Sequence, residues 1–169
     1  MNRKERQLLA HVPDAMNYKS LLYIGASACR QETLGLFIKR GYDYTILEIW
    51  RPNVEWLRKR FKNVIEGDVR DINGFNLGNF DIICWWHGPE HLKEDELVPM
   101  LDKLENMTKK ILITACPWGI YEQGAAEGNP HEIHYSYLYP EFFEKLGWKT
   151  SAMGRVDVKG SNLLAWKTK

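Results

Sequence analysis

Two acidic side chains follow apolar segments at a spacing that suits the binding of a nucleoside. Glu48 lies in "YTILEI" and follows a loop glycine, Gly25. The spacing between these two residues is close to the ~20 residues at which an acid accepts hydrogen bonds from ribose hydroxyls. A carboxylate there suits a free ribose diol and repels a 2′-phosphate, which disfavours an NADP-like ligand. Asp68 follows "VIEG" and is placed to accept a hydrogen bond from an exocyclic amine such as that of adenine. A solvated charge for Glu48 and a turn-capping role for Asp68 are the plainer alternatives.

The loop that precedes these acids is poor in glycine. The stretch "LLYIGASACRQ" (21–31) leaves an apolar run at Gly25 and continues through small residues. Pyrophosphate binding needs several glycines, so that backbone amides at the start of a helix can approach the anion. Ser27 and Cys29 occupy the positions where the second and third glycines would stand. The loop therefore favours a nucleoside that carries no phosphate.

Histidines form two short clusters, and each cluster contains a carboxylate. They are "HGPEH", with His87, Glu90 and His91, and "NPHEIH", with His131, Glu132 and His134. The first cluster matches the H-x-x-E-H pattern of zinc proteases, which needs one continuous helix to present both histidines. Gly88 and Pro89 argue against such a helix, so we expect no metal. His87 directly follows a predicted strand and is the best candidate for a functional histidine, whereas His91 and His134 could equally make structural hydrogen bonds in loops.

The elements that must position these residues alternate along the chain. The predicted strands are 20–25, 44–49, 63–68, 80–86, 110–117, 148–153 and 162–167, and the predicted helices are 30–41, 51–61, 93–107 and 138–147. Helix-length connections imply right-handed crossovers and a parallel sheet, whereas the short link between the last two strands implies an antiparallel pair. The sequence thus predicts an α/β, Rossmann-like, doubly wound and mostly parallel seven-stranded sheet with an antiparallel C-terminal hairpin.

Open parallel sheets bind ligands at the carboxyl ends of their strands, beside the point where the strand order reverses. In this sequence the predicted strand ends supply small loop residues, carboxylates and aromatic side chains. Trp85, Trp86 and Trp118 come just after strand-like runs, a position that favours a site over a core. The cofactor-binding candidates at these ends are Gly25, Ala26, Ser27, Glu48, Ile49, Trp50, Asp68, Val69 and Trp85.

These segments, in this order, resemble motifs of the class I S-adenosylmethionine-dependent methyltransferases. "LLYIGASACRQ" is similar to their first motif, "TILEIW" to the segment with the ribose-binding acid and "VIEGDV" to the one with the adenine-contacting Asp. "FDIICWWHGPEHL" and "LYPEFFEKLGWK" are similar to the fourth motif and to the late helix before the sixth strand. The resemblance covers about residues 20–167 and implies S-adenosyl-L-methionine as cofactor and methyl transfer as reaction. Tyr23 stands where the family usually has an acid and joins the cofactor-binding candidates, and Trp85 and Trp86 would line the adenosine or face the sulfonium.

Methyl transfer needs a general base when the acceptor must lose a proton, and the histidine clusters offer candidates for this role. His87 or Glu90 would take a proton from the acceptor, with His131 or His134 reaching over from the irregular segment 116–137. We expect this segment to form a lid over the acceptor, because long loops in compact domains are usually functional. A surface loop packed on its own aromatic side chains is the alternative. The expected acceptor is a small molecule or a glycan-like polar group.

The whole chain sets further bounds. Its 169 residues predict a single domain over 1–169, in which 1–19 form an N-terminal extension. Positive and negative side chains nearly balance, at a net charge of +1, so we expect no nucleic-acid or membrane partner. We see no segment typical of a signal peptide or a membrane span and expect a cytoplasmic protein. The three cysteines are far apart in the sequence, which predicts reduced thiols.

Two other classes of function stay open on the sequence alone. The tyrosine at position 23 and the missing loop glycines allow a non-catalytic module that binds a nucleoside or a partner protein. The histidine clusters allow a His/Glu metal hydrolase. Binding of S-adenosylmethionine together with turnover would exclude the first alternative, and stoichiometric zinc would favour the second.

Overall fold

A computed structural model of the chain describes residues 1–27 and 32–169, and only the backbone of Glu32. Seven strands in this part of the chain form one sheet. They are β1 (Ser20–Ile24), β2 (Asp43–Glu48), β3 (Val64–Glu66), β4 (Phe80–Trp86), β5 (Thr108–Cys116), β6 (Lys149–Met153) and β7 (Asn162–Thr168). Each of them falls on a strand predicted from the sequence.

The strands lie in the order β3-β2-β1-β4-β5-β7-β6. The pairs from β3 to β5 are parallel, and β7 pairs antiparallel with both β5 and β6. The predicted fold class, including the terminal hairpin, is therefore confirmed. Because β1 lies between β2 and β4, the strand order reverses beside it, and a crevice opens there at the carboxyl ends of the strands.

Five helices accompany the sheet in the described part of the chain: α1 (Arg3–His11), α2 (Glu32–Lys39), α3 (Arg51–Arg58), α4 (Glu94–Met107) and α5 (Pro140–Lys145). Side chains of β1 pack on both faces of the sheet. Leu21 and Tyr23 join the core on the side of α1, α2 and α3, whereas Leu22 and Ile24 join the core on the side of α4 and α5. Burial on both faces is typical of parallel strands and explains why their sequences are continuously apolar.

Two adjacent tryptophans lie inside β4 and point to opposite faces of the sheet. Trp86 packs into the core on the α1 side, and Trp85 packs into the core on the α4 side. Successive side chains of a strand alternate between its faces, so the two indoles cannot share one site. The expectation that Trp86 lines a ligand site was wrong for this reason. Trp118 is partly buried against the core on the α4 side.

Residues 1–19 contain a helix that the sequence analysis did not predict. Helix α1 begins with a capping box: the Asn2 side chain accepts from the Glu5 N–H at 2.8 Å, and the Glu5 carboxylate accepts from the Asn2 N–H at 2.7 Å. This reciprocal pair satisfies two backbone donors that a helix start would otherwise leave open. The spacing of these two side chains is the sequence signal that could have identified the helix.

Helix α1 belongs to the core of the domain. Leu8 is fully buried, and Gln7 connects the helix to the terminal hairpin. The Gln7 amide donates to the Ser151 carbonyl at 2.7 Å and accepts from the Asn162 amide at 2.8 Å. These contacts fix the helix so that Lys4 reaches the end of β4.

Cys84 and Cys116 are buried free thiols, in agreement with the predicted reduced state, and burial raises the pKa of both. Cys29 and its neighbour Ala28 lie outside the described residues. None of the helices described above is long and apolar enough to cross a membrane.

Candidate functional site

A cavity of about 280 Å³ opens at the carboxyl ends of β1, β2 and β4, beside the reversal of strand order. Small-molecule sites occupy roughly 300–1,000 Å³, so the volume of this cavity lies just below that range. Most of the predicted cofactor-binding residues line it, namely Gly25, Ser27, Glu48, Ile49, Asp68, Val69 and Trp85. Residues from separate strand ends therefore meet at one cavity.

The loop after β1 is held against β2 by its backbone. The Gly25 N–H donates to the Leu47 carbonyl at 2.9 Å, and Gly25 has a φ of +79°. Glycine adopts this left-handed conformation without the strain that a side chain would cause. Ala26 is fully buried in the core, whereas Ser27 lines the cavity. The loop thus presents small residues to whatever occupies the cavity.

Glu48 ends β2 with a buried carboxyl group at the cavity wall. The residue is 5% exposed, and its Oε1 accepts from the Trp50 N–H at 2.9 Å. Burial raises the pKa of Glu48 to about 7, although hydrogen bonds from Trp50 and Asn53 act in the opposite direction. Near neutral pH the group therefore exchanges between acid and carboxylate, and a ligand hydroxyl that donates to it favours the carboxylate.

Asp68 lines the same cavity with a carboxylate that Arg70 keeps ionised. It caps the 3-10 turn Val69–Phe75 by accepting from the Arg70 N–H at 2.9 Å, and the Arg70 Nε donates to its Oδ2 at 2.9 Å. Partial burial acts to raise the pKa of Asp68, but the bonds from Arg70 outweigh burial and lower it. Asp68 thus caps a turn, the plainer alternative, and also lines the cavity, whereas its contact with adenine stays a prediction.

His87 follows β4 and lies between a buried acid and an amine from α1. Its Nδ1 is 3.1 Å from the Glu90 Oε1, and its Nε2 is 2.8 Å from the Lys4 Nζ. An ammonium group only donates, so Nε2 accepts and Nδ1 carries the hydrogen that Glu90 accepts. The backbone of His87 has a φ of +52°, and its N–H donates to the Ala115 carbonyl at 2.7 Å. The predicted base is therefore a neutral imidazole whose lone pair faces Lys4.

Glu90 is buried among three histidines. It is 2% exposed, and it is not among the described residues that line the cavity. Burial acts to raise the pKa of its carboxyl group, but the hydrogen bond with His87 and the nearby His91 and His134 outweigh burial and lower it. Glu90 thus supports its neighbours from behind the cavity wall.

The segment 116–137, predicted to be a lid, supplies one wall of the cavity. Asn129–Glu132 and Tyr135 line it. The Tyr135 N–H donates to the Glu90 carbonyl at 2.8 Å, which holds the segment against the end of β4. The wall therefore has a fixed attachment beside the buried acid.

The two histidines of this segment have different neighbours. His131 lines the cavity and interacts electrostatically with Asp68. His134 lies next to His91, with ring centroids 5.0 Å apart, and burial lowers its pKa. His131 is thus a neighbour of the predicted adenine-binding acid, whereas His134 belongs with Glu90 and His91.

Three predicted cofactor-binding residues are not in the cavity lining that the structure describes: Tyr23, Ala26 and Trp50. The Tyr23 side chain is buried on the other face of β1, where its hydroxyl lies 2.7 Å from the Thr33 hydroxyl. Trp50 acts through its backbone N–H on Glu48. The pleat of β1 explains the position of Tyr23, because Ile24 takes the face next to the cavity.

Three residues that shape the site were not predicted from the sequence. Lys4 comes from the unpredicted helix α1, and no motif connects it with His87. Arg70 and Glu96 pair at 3.2 Å and both line the cavity. The position of Arg70, two residues after Asp68, was the available signal.

Comparisons with solved structures agree with this architecture. The chain matches a SAM-dependent methyltransferase from Archaeoglobus fulgidus at 16% identity, over 98% of this chain and 93% of that one, with a TM-score of 0.67. It matches an O-methyltransferase family protein from Burkholderia thailandensis at 9% identity, over 99% and 56%, with a TM-score of 0.69. It also matches the N-terminal domain of EvdMO1, solved in the presence of SAH and D-fucose, at 14% identity, over 98% and 81%, with a TM-score of 0.68.

The chain has the class I methyltransferase fold. The strand order and the antiparallel terminal hairpin carry this assignment. The chain spans about half the length of the Burkholderia protein and nearly all of the Archaeoglobus one. No protein-family model matches the sequence, and a search of the curated proteins finds no match. Within this fold, the cavity occupies the crevice at the strand-order reversal.

Gly88→Ala should disturb the cavity wall. A Cβ at Gly88 would lie 1.7 Å from the Trp85 Nε1, and the indole is 3% exposed with little room to move. We expect a loss of about 1–3 kcal/mol in the free energy of unfolding, measured by urea denaturation. Gly35→Ala in α2, where a Cβ meets no described atom within 4 Å, is the control and should be neutral or stabilising. Equal effects of the two substitutions would contradict the packing argument.

Glu48 should make stability depend on pH in a defined window. Its pKa is about 7 in the folded protein against 4.5 for an ordinary Glu, so the folded state holds more protons between these values. Stability therefore falls as pH rises from about 4.5 to 7 and then levels, by up to about 3 kcal/mol for this group. The difference in unfolding free energy between wild type and Glu48→Gln should follow this curve. If the unfolding free energies of wild type and Glu48→Gln changed with pH in parallel, the expectation would be contradicted. Glu141→Gln, which removes an exposed carboxylate on α5, is the control.

Proposed function

We propose that this protein is an S-adenosylmethionine-dependent methyltransferase that acts on a small-molecule or glycan-like acceptor. The observation that carries the proposal is the joint presence of Glu48, Asp68 and the Gly25–Ser27 loop around one cavity. These are the groups that a nucleoside without phosphate requires, and they lie at the strand-order reversal of a methyltransferase fold. The cofactor itself is inferred from these residues.

The described residues fit both the ribose and the adenine of the cofactor. Glu48 offers a buried carboxyl group, and its carboxylate form would accept hydrogen bonds from the ribose diol. Asp68 would accept from the adenine amine, and its bonds to Arg70 fix its orientation. Ile49 and Val69 supply apolar surface between them. Trp85 offers an aromatic side chain, on which a positively charged sulfur is favourable.

S-adenosylmethionine would supply an activated methyl group, so the protein must mainly orient the acceptor and exclude water. A general base is also needed where the methyl group is transferred to a hydroxyl or an ammonium, because that group must lose a proton. His87 fits this role, because its Nδ1–H is held by Glu90 and its Nε2 bears a lone pair. Lys4 now donates to that nitrogen, so a bound acceptor would have to displace the Lys4 amine.

The cavity lining also contains polar side chains, among them Lys93, Glu96, Asn129 and Tyr135, and such groups suit a hydroxylated small molecule. The presence of D-fucose with the related EvdMO1 domain supports a sugar-like acceptor by analogy. The net charge of +1 gives the protein no overall basic field that would attract a nucleic acid.

A non-catalytic binding module is the second candidate. Two observations favour it: Tyr23 is a core residue where the family usually has an acid, and both ring nitrogens of His87 already have partners. Such a module would bind the nucleoside without transferring the methyl group. Binding and turnover therefore need separate measurements.

Calorimetry with S-adenosylmethionine and S-adenosylhomocysteine tests the cofactor site. We expect both to bind, and Glu48→Gln or Asp68→Asn to weaken binding by about 10- to 100-fold, because each removes a charge-assisted hydrogen bond. Asp43→Asn is the matched control, since Asp43 lies exposed at the amino end of β2, the opposite end from Glu48. Affinity should also rise with pH towards about 7 as Glu48 ionises. If neither S-adenosylmethionine nor S-adenosylhomocysteine binds at millimolar concentration, the methyltransferase proposal is refuted.

Turnover is tested by the release of S-adenosylhomocysteine in a panel of hydroxylated small molecules and sugars that includes D-fucose. His87→Gln should lower kcat by roughly 10²- to 10⁴-fold and leave cofactor affinity unchanged, because a general base contributes to the chemical step. Cofactor binding with no turnover on any member of the panel would favour the binding module.

A further inference from the structure

Three potential metal ligands converge behind the cavity wall. One carboxylate oxygen of Glu90 and one ring nitrogen each of His91 and His134 lie within 4.8 Å of one another. Glu90 and His91 come from the 3-10 turn after β4, Pro89–His91, and His134 comes from the segment 116–137. His91 also lines the cavity, so the cluster touches both the buried acid and the ligand space.

Hydrogen bonds identify which ring nitrogens bear lone pairs. The His91 Nδ1 lies 3.1 Å from the Ile133 carbonyl oxygen, and the His134 Nδ1 lies 2.6 Å from the Tyr121 carbonyl oxygen. A carbonyl oxygen only accepts, so both Nδ1 atoms carry hydrogens and both Nε2 atoms are left with lone pairs. Histidines that bind metals are usually oriented in this way, by a hydrogen bond from the other ring nitrogen to a carbonyl or carboxylate.

The third ligand is a buried oxygen without a partner. The Glu90 Oε1 is occupied by His87, whereas its Oε2 has no hydrogen-bond partner among the described residues. A buried carboxylate oxygen in this state is unfavourable unless a proton or a cation meets it. The cluster thus brings two imidazoles close to a buried carboxylate whose Oε2 meets no donor in the described part of the chain.

The backbone holds the ligands in place without help from a cation. The N–H groups of Tyr135 and Ser136 both donate to the Glu90 carbonyl, at 2.8 and 3.1 Å. The Ser136 hydroxyl donates to the Leu92 carbonyl at 2.5 Å. These bonds join the irregular stretch that follows His134 to the turn that carries Glu90, so the two halves of the cluster are fixed to each other.

We propose that Glu90, His91 and His134 bind one late first-row divalent cation of the Zn²⁺ type. Two imidazoles and one carboxylate suit such a cation, whereas Mg²⁺ and Ca²⁺ prefer oxygen ligands. Three protein ligands leave a coordination position for water or for a ligand in the cavity. No metal was expected from the sequence, and the cation site proposed here replaces that expectation.

The proposed site differs from the zinc-protease pattern considered from the sequence. That pattern pairs His87 with His91 on one helix, but His87 lies outside the 3-10 turn and its Nδ1 and Nε2 contact Glu90 and Lys4. A distant histidine, His134, takes its place in the cluster. If the proposed methyl transfer is correct, a cation here would sit beside His87 and could bind an acceptor oxygen, and this use rests on that proposal.

Calorimetry on the full chain, freed of metal with a chelator, tests the site with Zn²⁺ alone. We expect one equivalent to bind and to raise the Tm, and Co²⁺ to give the visible absorption of a site with nitrogen ligands. His91→Ala and His134→Ala should each weaken Zn²⁺ binding by at least about 100-fold, more than loss of an outer-shell partner does. Glu90→Gln should do the same, and urea unfolding without metal checks that each variant folds.

Two other histidines provide matched controls for surface binding. His11→Ala removes an exposed histidine on α1, and His131→Ala removes one from the same segment as His134. Both variants should bind Zn²⁺ as the wild type does. The proposal fails if neither Zn²⁺ nor Co²⁺ binds, if binding survives His91→Ala and His134→Ala, or if the site prefers Mg²⁺. Because S-adenosylhomocysteine binding is measured separately in the metal-free protein, failure of the cofactor site and failure of the cation site are distinguishable.

Discussion

The parallel pairing of β1 with β2 on one side and β4 on the other is the constraint on which the site depends. The three strands end at the same edge of the sheet, so residues far apart in sequence meet there. Two backbone bonds extend this order past the strand ends, from Gly25 to Leu47 and from His87 to Ala115. Pairing of the strands therefore fixes the backbone positions of the site, and the side chains at those positions form the cavity wall.

Two buried glutamates near that edge of the sheet have pKa values shifted in opposite directions. Burial dominates at Glu48 and raises its pKa to about 7, whereas at Glu90 three histidines outweigh burial and lower the pKa. The same residue type therefore has opposite pKa shifts at the end of β2 and just after β4, the two strands on either side of β1. Glu48 is suited to exchange a proton as hydroxyl donors arrive, and Glu90 is suited to stay ionised and hold imidazoles.

The sequence predicted the sheet and much of the cavity because both follow from local patterns. Apolar runs ended by small or polar residues located every strand, and the rule that ligands bind at strand ends then selected Glu48 and Asp68. Side-chain direction was less accessible: the pleat, which depends on the exact register, sent Tyr23 and Trp86 into the core. Contacts between distant segments were not readable at all, since nothing local connects Lys4 with His87 or His91 with His134.

The N-terminal helix shows why such distant contacts matter for the chemistry. Gln7 bonds α1 to both strands of the terminal hairpin, and on the same helix Lys4 contacts the Nε2 of His87. The other ring nitrogen of His87 contacts Glu90, whose backbone carbonyl receives the N–H groups of the segment 116–137. One imidazole thus lies where the beginning of the chain, the fourth strand and the cavity wall meet. In the proposed reaction, the availability of this proton acceptor therefore depends on the packing of α1, because Lys4 can withdraw only as far as that helix allows.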